Sequence, residues 1–253
     1  MRKTFTIATV SALGLVGCSS SKHAATGSTS GTVVVFAAAS LKNTFTTLAT
    51  SFQKAHPGVT IVPSFGGSDT LAAQIVAGSP VDVFAAASAA TMATVTNAHD
   101  AKSTPTVFAK NALEIAVAPS NPLHVAGLAD LTTASVKVAV CAPTVPCGAA
   151  AAKVFAAVNL KPHAVTQEQD VTSVLTKVEL GEVDAGVVYQ TDVKSAGAKV
   201  LGVNFPEAAN AINSYSIAVV TTGKNPTTAQ PFVDYVLSAD GMAALRAAGF
   251  QQP

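Results

Sequence analysis

"TVVVFAAASLKNTF" occupies residues 32–45 and decides the architecture. Its first half is a short β-branched run, suited to a strand buried on both faces. Its second half sets Leu41 and Phe45, and beyond them Leu48 and Phe52, on one helical face, and "HPG" at 56–58 ends the helix. A strand running straight into a helix is the first half of a strand–helix–strand unit, which builds a parallel sheet covered by helices. The junction is three alanines and Ser40, with no glycine-rich cradle for a phosphate and no arginine to clamp one.

The alternation continues along the chain. Strand-like runs stand at 59–65, 82–87, 113–119, 137–143, 185–190 and 215–220. Leu71 and Ile75 mark a second helix closed by Gly78, and Val171, Val174, Leu175 and Val178 mark another closed by Gly181. Residues 225–237 and 238–250 read as two consecutive helices, the second with Ser238 at its N-cap. The fold expected is α/β with two lobes, each a mostly parallel sheet flanked by helices, and ligand in the cleft between them. Strand-like segments around Ala112–Val117 and Tyr215–Val220 are the expected crossings. Residues 31–113 plus 218–253 would form lobe I and residues 114–217 lobe II.

Composition narrows the function. The 253 residues are 49% hydrophobic and 11% charged, with a net charge of +1 and no tryptophan. Near-neutral charge without a basic cluster argues against nucleic acid as partner. The five histidines show no metal-ligand spacing, and no bare cation site is expected.

Arg2, Lys3 and the apolar run from Phe5 to Gly17 form a leader too short to span a bilayer, which takes about 20 residues. It ends "LVGC", similar to the bacterial lipoprotein cleavage box, so residues 1–18 read as a lipoprotein signal with Cys18 lipidated, and 19–30 as a flexible tether. The protein is then exported and lipid-anchored to the outer face of the cytoplasmic membrane. Cys141 and Cys147 remain, in a compartment where disulfides persist. They are either bridged or two separate buried thiols. The intervening "APTVP" favours a tight turn and the bridge, whose short loop would contribute about 2 kcal/mol through chain entropy.

Two further helix openings are as small and neutral as the one at Ser40: "SFGGSDTL" (64–71) and "PTVPCGAA" (143–150). A helix N-terminus offers unpaired N–H donors and roughly half a positive charge, and small residues let a ligand approach the backbone. Ser40 and Ser68 are each placed either to cap a helix or to turn a hydroxyl outward. Several such ends converging would hold an anion without a cation.

With these residues in view, "VVFAAASLKNTF", "SFGGSDTLAAQI", "TVPCG", "QDVTSVLTKV" and "AGVVYQTD" resemble, in order and spacing, successive motifs of the molybdate-binding proteins of ABC importers. The resemblance covers nearly all of residues 31–253 and implies the type II periplasmic binding fold. It implies a tetrahedral oxyanion, molybdate or tungstate, held by the hydroxyls of Ser40, Ser68 and Tyr189 and the backbone N–H groups of Cys147 and Val171. No cofactor beyond that ligand is expected, the partner is the importer's membrane permease, and the chain reads as a monomer. Two departures stand out: Cys147 replaces the family's usual alanine, and Asp69 and Asp170 lie beside expected anion contacts. Other oxyanions (sulfate, phosphate) or a ferric complex are the rival ligands on this fold. A serine hydrolase fits less well, since "GGSDT" lacks the last glycine of a nucleophile elbow, and an adhesive surface lipoprotein is a remoter reading.

The lipobox reading is tested at Cys18. Cys18→Ser should release the protein from membranes into periplasm or medium on fractionation; a variant that stays membrane-bound would refute the anchor.

Overall fold

The structure, a computed structural model, describes Met1 and residues 30–253. The leader, Cys18 and the tether up to residue 29 lie outside the described residues. In chain order the elements are β1 (Gly31–Ala38), α1 (Lys42–Ala55), β2 (Val59–Gly66), α2 (Ser68–Val76), β3 (Val83–Ala86), α3 (Ala89–Asn97) and β4 (Thr106–Asn111). Then come β5 (Leu113–Val117), β6 (Val138–Cys141), α4 (Pro146–Ala157), β7 (Ala164–Glu168), α5 (Val171–Glu179), β8 (Ala185–Tyr189), α6 (Gln190–Ala196) and β9 (Leu201–Val203). The chain closes with β10 (Asn213–Val219), α7 (Pro226–Leu237) and α8 (Ala239–Ala248).

Two five-stranded sheets result, in the orders β2-β1-β3-β10-β4 and β7-β6-β8-β5-β9. The strand–helix–strand units pair in parallel, β1 with β2 and β3 in one sheet and β6 with β7 and β8 in the other. The crossing strands pair antiparallel: β10 with β3 and β4, and β5 with β8 and β9. Each sheet is therefore mixed rather than mostly parallel. A strand that enters from the other lobe arrives at the ends where the local strands finish, so it runs against them.

The chain leaves the first sheet after Asn111 and joins the second at Leu113. It returns at Asn213, where β10 pairs with Asn111 of β4. Residues 213–217, expected in lobe II, thus belong to the first sheet, and Leu113 to the second. "INSYS" carries no apolar alternation strong enough to show where pairing begins. Strands β4, β7 and β9 had no sequence signal either: β7 is a half-exposed edge and β9 has three residues.

The expected faces fill the cores. Phe45 and Phe52 of α1 meet Phe232 of α7 edge-on at 6.4 and 5.4 Å, and Phe45 meets Phe108 of β4 at 6.0 Å. Such aromatic clusters combine large buried area with favourable ring geometry. Gly78 and Gly181 close α2 and α5 with φ of 88° and 70°, as left-handed termini require. Ser238 accepts from the N–H of Gly241 at 3.3 Å and caps α8.

Cys141 at the end of β6 and Cys147 in the first turn of α4 are joined by a disulfide, with their Cα atoms 5.8 Å apart. Gly148 follows. A Cβ there would lie 2.0 Å from the carbonyl oxygen of Ala142 and 2.6 Å from that of Cys141. Helix and loop backbones touch at that point. Gly148→Ala should therefore push the first turn of α4 off the loop and cost about 1–3 kcal/mol, as overpacking does. Chemical denaturation should record the loss; an unchanged midpoint would mean that the helix start is not clamped.

Candidate functional site

The expected site residues sit where helices begin. Ser40 lies in a single 3₁₀ turn, Ala39–Leu41, between β1 and α1, and Ser68 is the first residue of α2. Neither serine caps its helix: Ala38 and Gly67 occupy those positions and make no side-chain cap bond. Both hydroxyls are thereby left for other partners. Asp170, by contrast, is a true N-cap, accepting from the N–H of Ser173 at 2.9 Å, which leaves Val171 as the first residue of α5. Pro146 opens α4, a position that needs no N–H, and Cys147 follows it.

These residues converge. Ser40, Ser68, Cys147, Val171 and Tyr189 all border one small cavity between the sheets, with a free volume of about 10 Å³, together with Gly66, Gly67, Ala38, Ala39, Ala87 and Asp170. Among the described residues that line it, Asp170 is the one charged side chain and none is basic. Lys42 instead faces a wider neighbouring groove between the lobes. Asp69 does not line the cavity; it lies in the first turn of α2, where the helix dipole favours a negative charge, and its Oδ1 is buried beside Gly67 without a hydrogen-bond partner among the described residues.

The hydroxyls have instructive partners. Ser68 Oγ accepts from the backbone N–H of Ala87 at 3.1 Å, so its own proton is free to be donated. Ser40 Oγ lies 2.8 Å from the hydroxyl of Tyr215. Tyr189 is almost completely buried, and its hydroxyl has no hydrogen-bond partner. An orphaned buried hydroxyl costs stability unless something else supplies a partner. Burial, with Tyr215 and Asp192 nearby, holds that phenol well above its usual pKa, so it stays a neutral donor.

The two halves meet tightly around the cavity. A Cβ on Gly67 would lie 2.4 Å from the carbonyl oxygen of Gln169 in the other lobe, so only glycine permits this approach. The amide of Asn43 on α1 donates to the hydroxyl of Ser195 on α6. Asn213, at the return crossing, donates to the carbonyls of Ala87 and Pro146, at 2.8 and 3.5 Å. The lobes are therefore in a closed arrangement. Sequence reasoning missed Tyr215, Asn111 and Asn213 as contributors. A tyrosine or asparagine on an apolar strand carries no signal of which partner the register will bring to it.

The chain matches the model of the bacterial extracellular solute-binding protein family over residues 33–251. It belongs to that family. It is 42% identical over 95% of its length to the molybdate-binding protein ModA of Mycobacterium tuberculosis (strain H37Rv), covering 94% of that protein. It is 36% identical to the molybdate-binding protein ModA of Escherichia coli (strain K12), over 87% of this chain and 89% of that one. Its fold superimposes on the periplasmic molybdate-binding protein of Azotobacter vinelandii with a TM-score of 0.77 at 22% identity, covering 87% of this chain and 99% of the other. The chain is thus a solute-binding protein of an exported family rather than an enzyme. No helix among the described residues is long and apolar enough to cross a membrane.

Asp192 adds a titratable element behind the site. Its carboxylate accepts from the N–H of Tyr189 at 2.9 Å, and burial, outweighing that bond and aided by Asp170, pushes its pKa up to about 7. Unfolding returns it to the ordinary carboxylate value, so between roughly pH 4 and 7 the folded chain holds a proton that the unfolded chain has lost. Stability from this group is complete below that window, falls as pH rises through it and is gone above about pH 7. Asp192→Asn, which keeps the acceptor oxygen, should therefore flatten the decline in Tm between about pH 5 and pH 8. Parallel melts of both proteins across that range check it, and equal declines would refute it.

Proposed function

We propose that the protein captures molybdate, and tungstate with it, outside the cytoplasmic membrane and delivers it to the permease of an ABC importer, anchored by lipid on Cys18. The observation that carries this reading is the small, cation-free cavity into which uncharged donors from both lobes converge. Ser40 and Ser68 supply hydroxyls from one side. Tyr189 supplies a hydroxyl from the other, with the N–H groups of Cys147 and Val171 at the openings of α4 and α5. Removing a dianion from water is costly, so many donors must act at once, and helix N-termini supply them without a counter-ion. The Cys147 departure fits this scheme, because a backbone N–H survives any side chain. The Mycobacterium tuberculosis and Escherichia coli relatives are molybdate-binding proteins, which supports the choice of ion.

Because donors come from both lobes, ligand should favour the closed form. A thermal-shift panel of molybdate, tungstate, sulfate, phosphate and ferric citrate should show stabilisation by the first two above the rest. Calorimetry should then show Ser40→Ala and Ser68→Ala each weakening molybdate by about 1.5–3 kcal/mol, roughly ten- to a hundred-fold. Lys42→Ala should change little. Loss of binding in the lysine variant with normal binding in both serine variants would overturn the neutral-donor site.

A further inference from the structure

We propose that Asn111 and Tyr215, neither of which lines the cavity, fix the direction of the Ser40 hydroxyl so that its proton is donated into the cavity, and that this biases the site toward oxyanions carrying no proton. The inference rests on the oxyanion reading above but not on which oxyanion is bound.

The argument starts at a backbone amide. The N–H of Ala112 donates to the side chain of Asn111 at 3.1 Å, so the atom facing it must be the oxygen Oδ1. The other end of that side chain is then the NH₂ group, which can only donate. It reaches the hydroxyl of Thr191 at 2.7 Å and the phenol oxygen of Tyr215 at 3.4 Å. With its oxygen facing a donor, Tyr215 directs its one proton elsewhere; the Tyr189 hydroxyl, though near enough to influence the Tyr215 phenol, meets no hydrogen-bond geometry, and Ser40 Oγ does, 2.8 Å away. Ser40 thereby accepts from Tyr215, and its own single proton is left for the cavity that it lines.

Two features keep this chain of donors in order. Tyr215 is completely buried, and burial holds its phenol far above the usual range, so it never becomes an acceptor-only phenolate. Its ring is fixed edge-on against Phe250 at 5.3 Å, Tyr189 at 6.2 Å and Phe108 at 6.4 Å. Ser68 has the same polarity by a shorter route, since Ala87 N–H donates to it directly. A fully deprotonated oxyanion offers only acceptors and suits both serines. Phosphate at neutral pH keeps at least one proton. That proton needs an acceptor; both serines face it with protons of their own, and the one carboxylate that lines the cavity, Asp170, already caps α5 through the N–H of Ser173.

The test is competition calorimetry on the full chain with molybdate, tungstate, sulfate and phosphate at neutral pH, for wild type, Tyr215→Phe, Ser40→Ala and the double variant. Phenylalanine keeps the ring packing and removes only the hydroxyl. Wild type should bind a fully deprotonated ion far more tightly than phosphate. Tyr215→Phe should weaken that ion roughly two- to ten-fold, the scale of one neutral hydrogen bond, without weakening phosphate, so the preference narrows. In the Ser40→Ala background the tyrosine change should have no further effect, because Tyr215 acts through Ser40. Phosphate as the tightest ligand of wild type would overturn the proposal, as would equal losses for all ions in Tyr215→Phe, additive effects in the double variant, or no binding of any of the four. Sulfate preferred to molybdate, with the narrowing and non-additivity intact, would overturn the molybdate reading and leave the donor chain standing.

Discussion

Helix N-termini from two different sheets open onto one small space, and the rest of the molecule is organised around bringing them there. Each first turn carries N–H groups without intrahelical partners and a partial positive charge. Four such openings, at Ser40, Ser68, Cys147 and Val171, border the cavity. Their approach depends on the absence of side-chain bulk. Alanine fills positions 37–39, glycine fills 66 and 67, and Gly67 lets backbone from one lobe reach the carbonyl of Gln169 in the other. A larger residue at Gly67 would hold the openings apart.

Neutrality in the cavity has a counterpart in how the nearby acids are handled. Asp170 is occupied as an N-cap, Asp69 lies outside the cavity in a helix first turn, and Asp192 is buried deeply enough to titrate near neutrality. An anion in the cavity thus meets one charged lining residue, already bonded to a backbone amide. Lys42, Lys194 and Lys199 stand in the neighbouring groove, where solvent screens them. In the proposed site, recognition would rest on dipoles and hydroxyls rather than on ionic attraction, with geometry rather than net charge as the basis of selection.

The disulfide and the crossing strands serve the same convergence at different ranges. Cys141–Cys147 ties the end of β6 to the start of α4, holding the loop that presents the Cys147 N–H. The crossings at Ala112 and Ile212 join the lobes, and residues beside both reach across: Asn111 to Thr191, Asn213 to Pro146. Hinge and site are therefore connected by hydrogen bonds, not merely adjacent.

Much of this was legible in the chain before any coordinates. Local physics writes strand-to-helix junctions as β-branched runs followed by helical periodicity, and glycines at 78 and 181 mark helix ends because left-handed backbone favours them. The five residues that border the cavity stood out because short motifs place them at helix openings. What the sequence could not contain was pairing. Whether β10 begins at residue 213 or 218, whether the sheets are parallel or mixed, and which hydroxyl faces Ser40 all depend on contacts between residues far apart in the chain. Tyr215 lies 175 positions from Ser40, and no local pattern distinguishes a tyrosine that merely packs from one whose hydroxyl meets a cavity-lining serine. Only the tertiary structure decides that, because the direction of a hydrogen bond is set by the donors and acceptors that packing brings together.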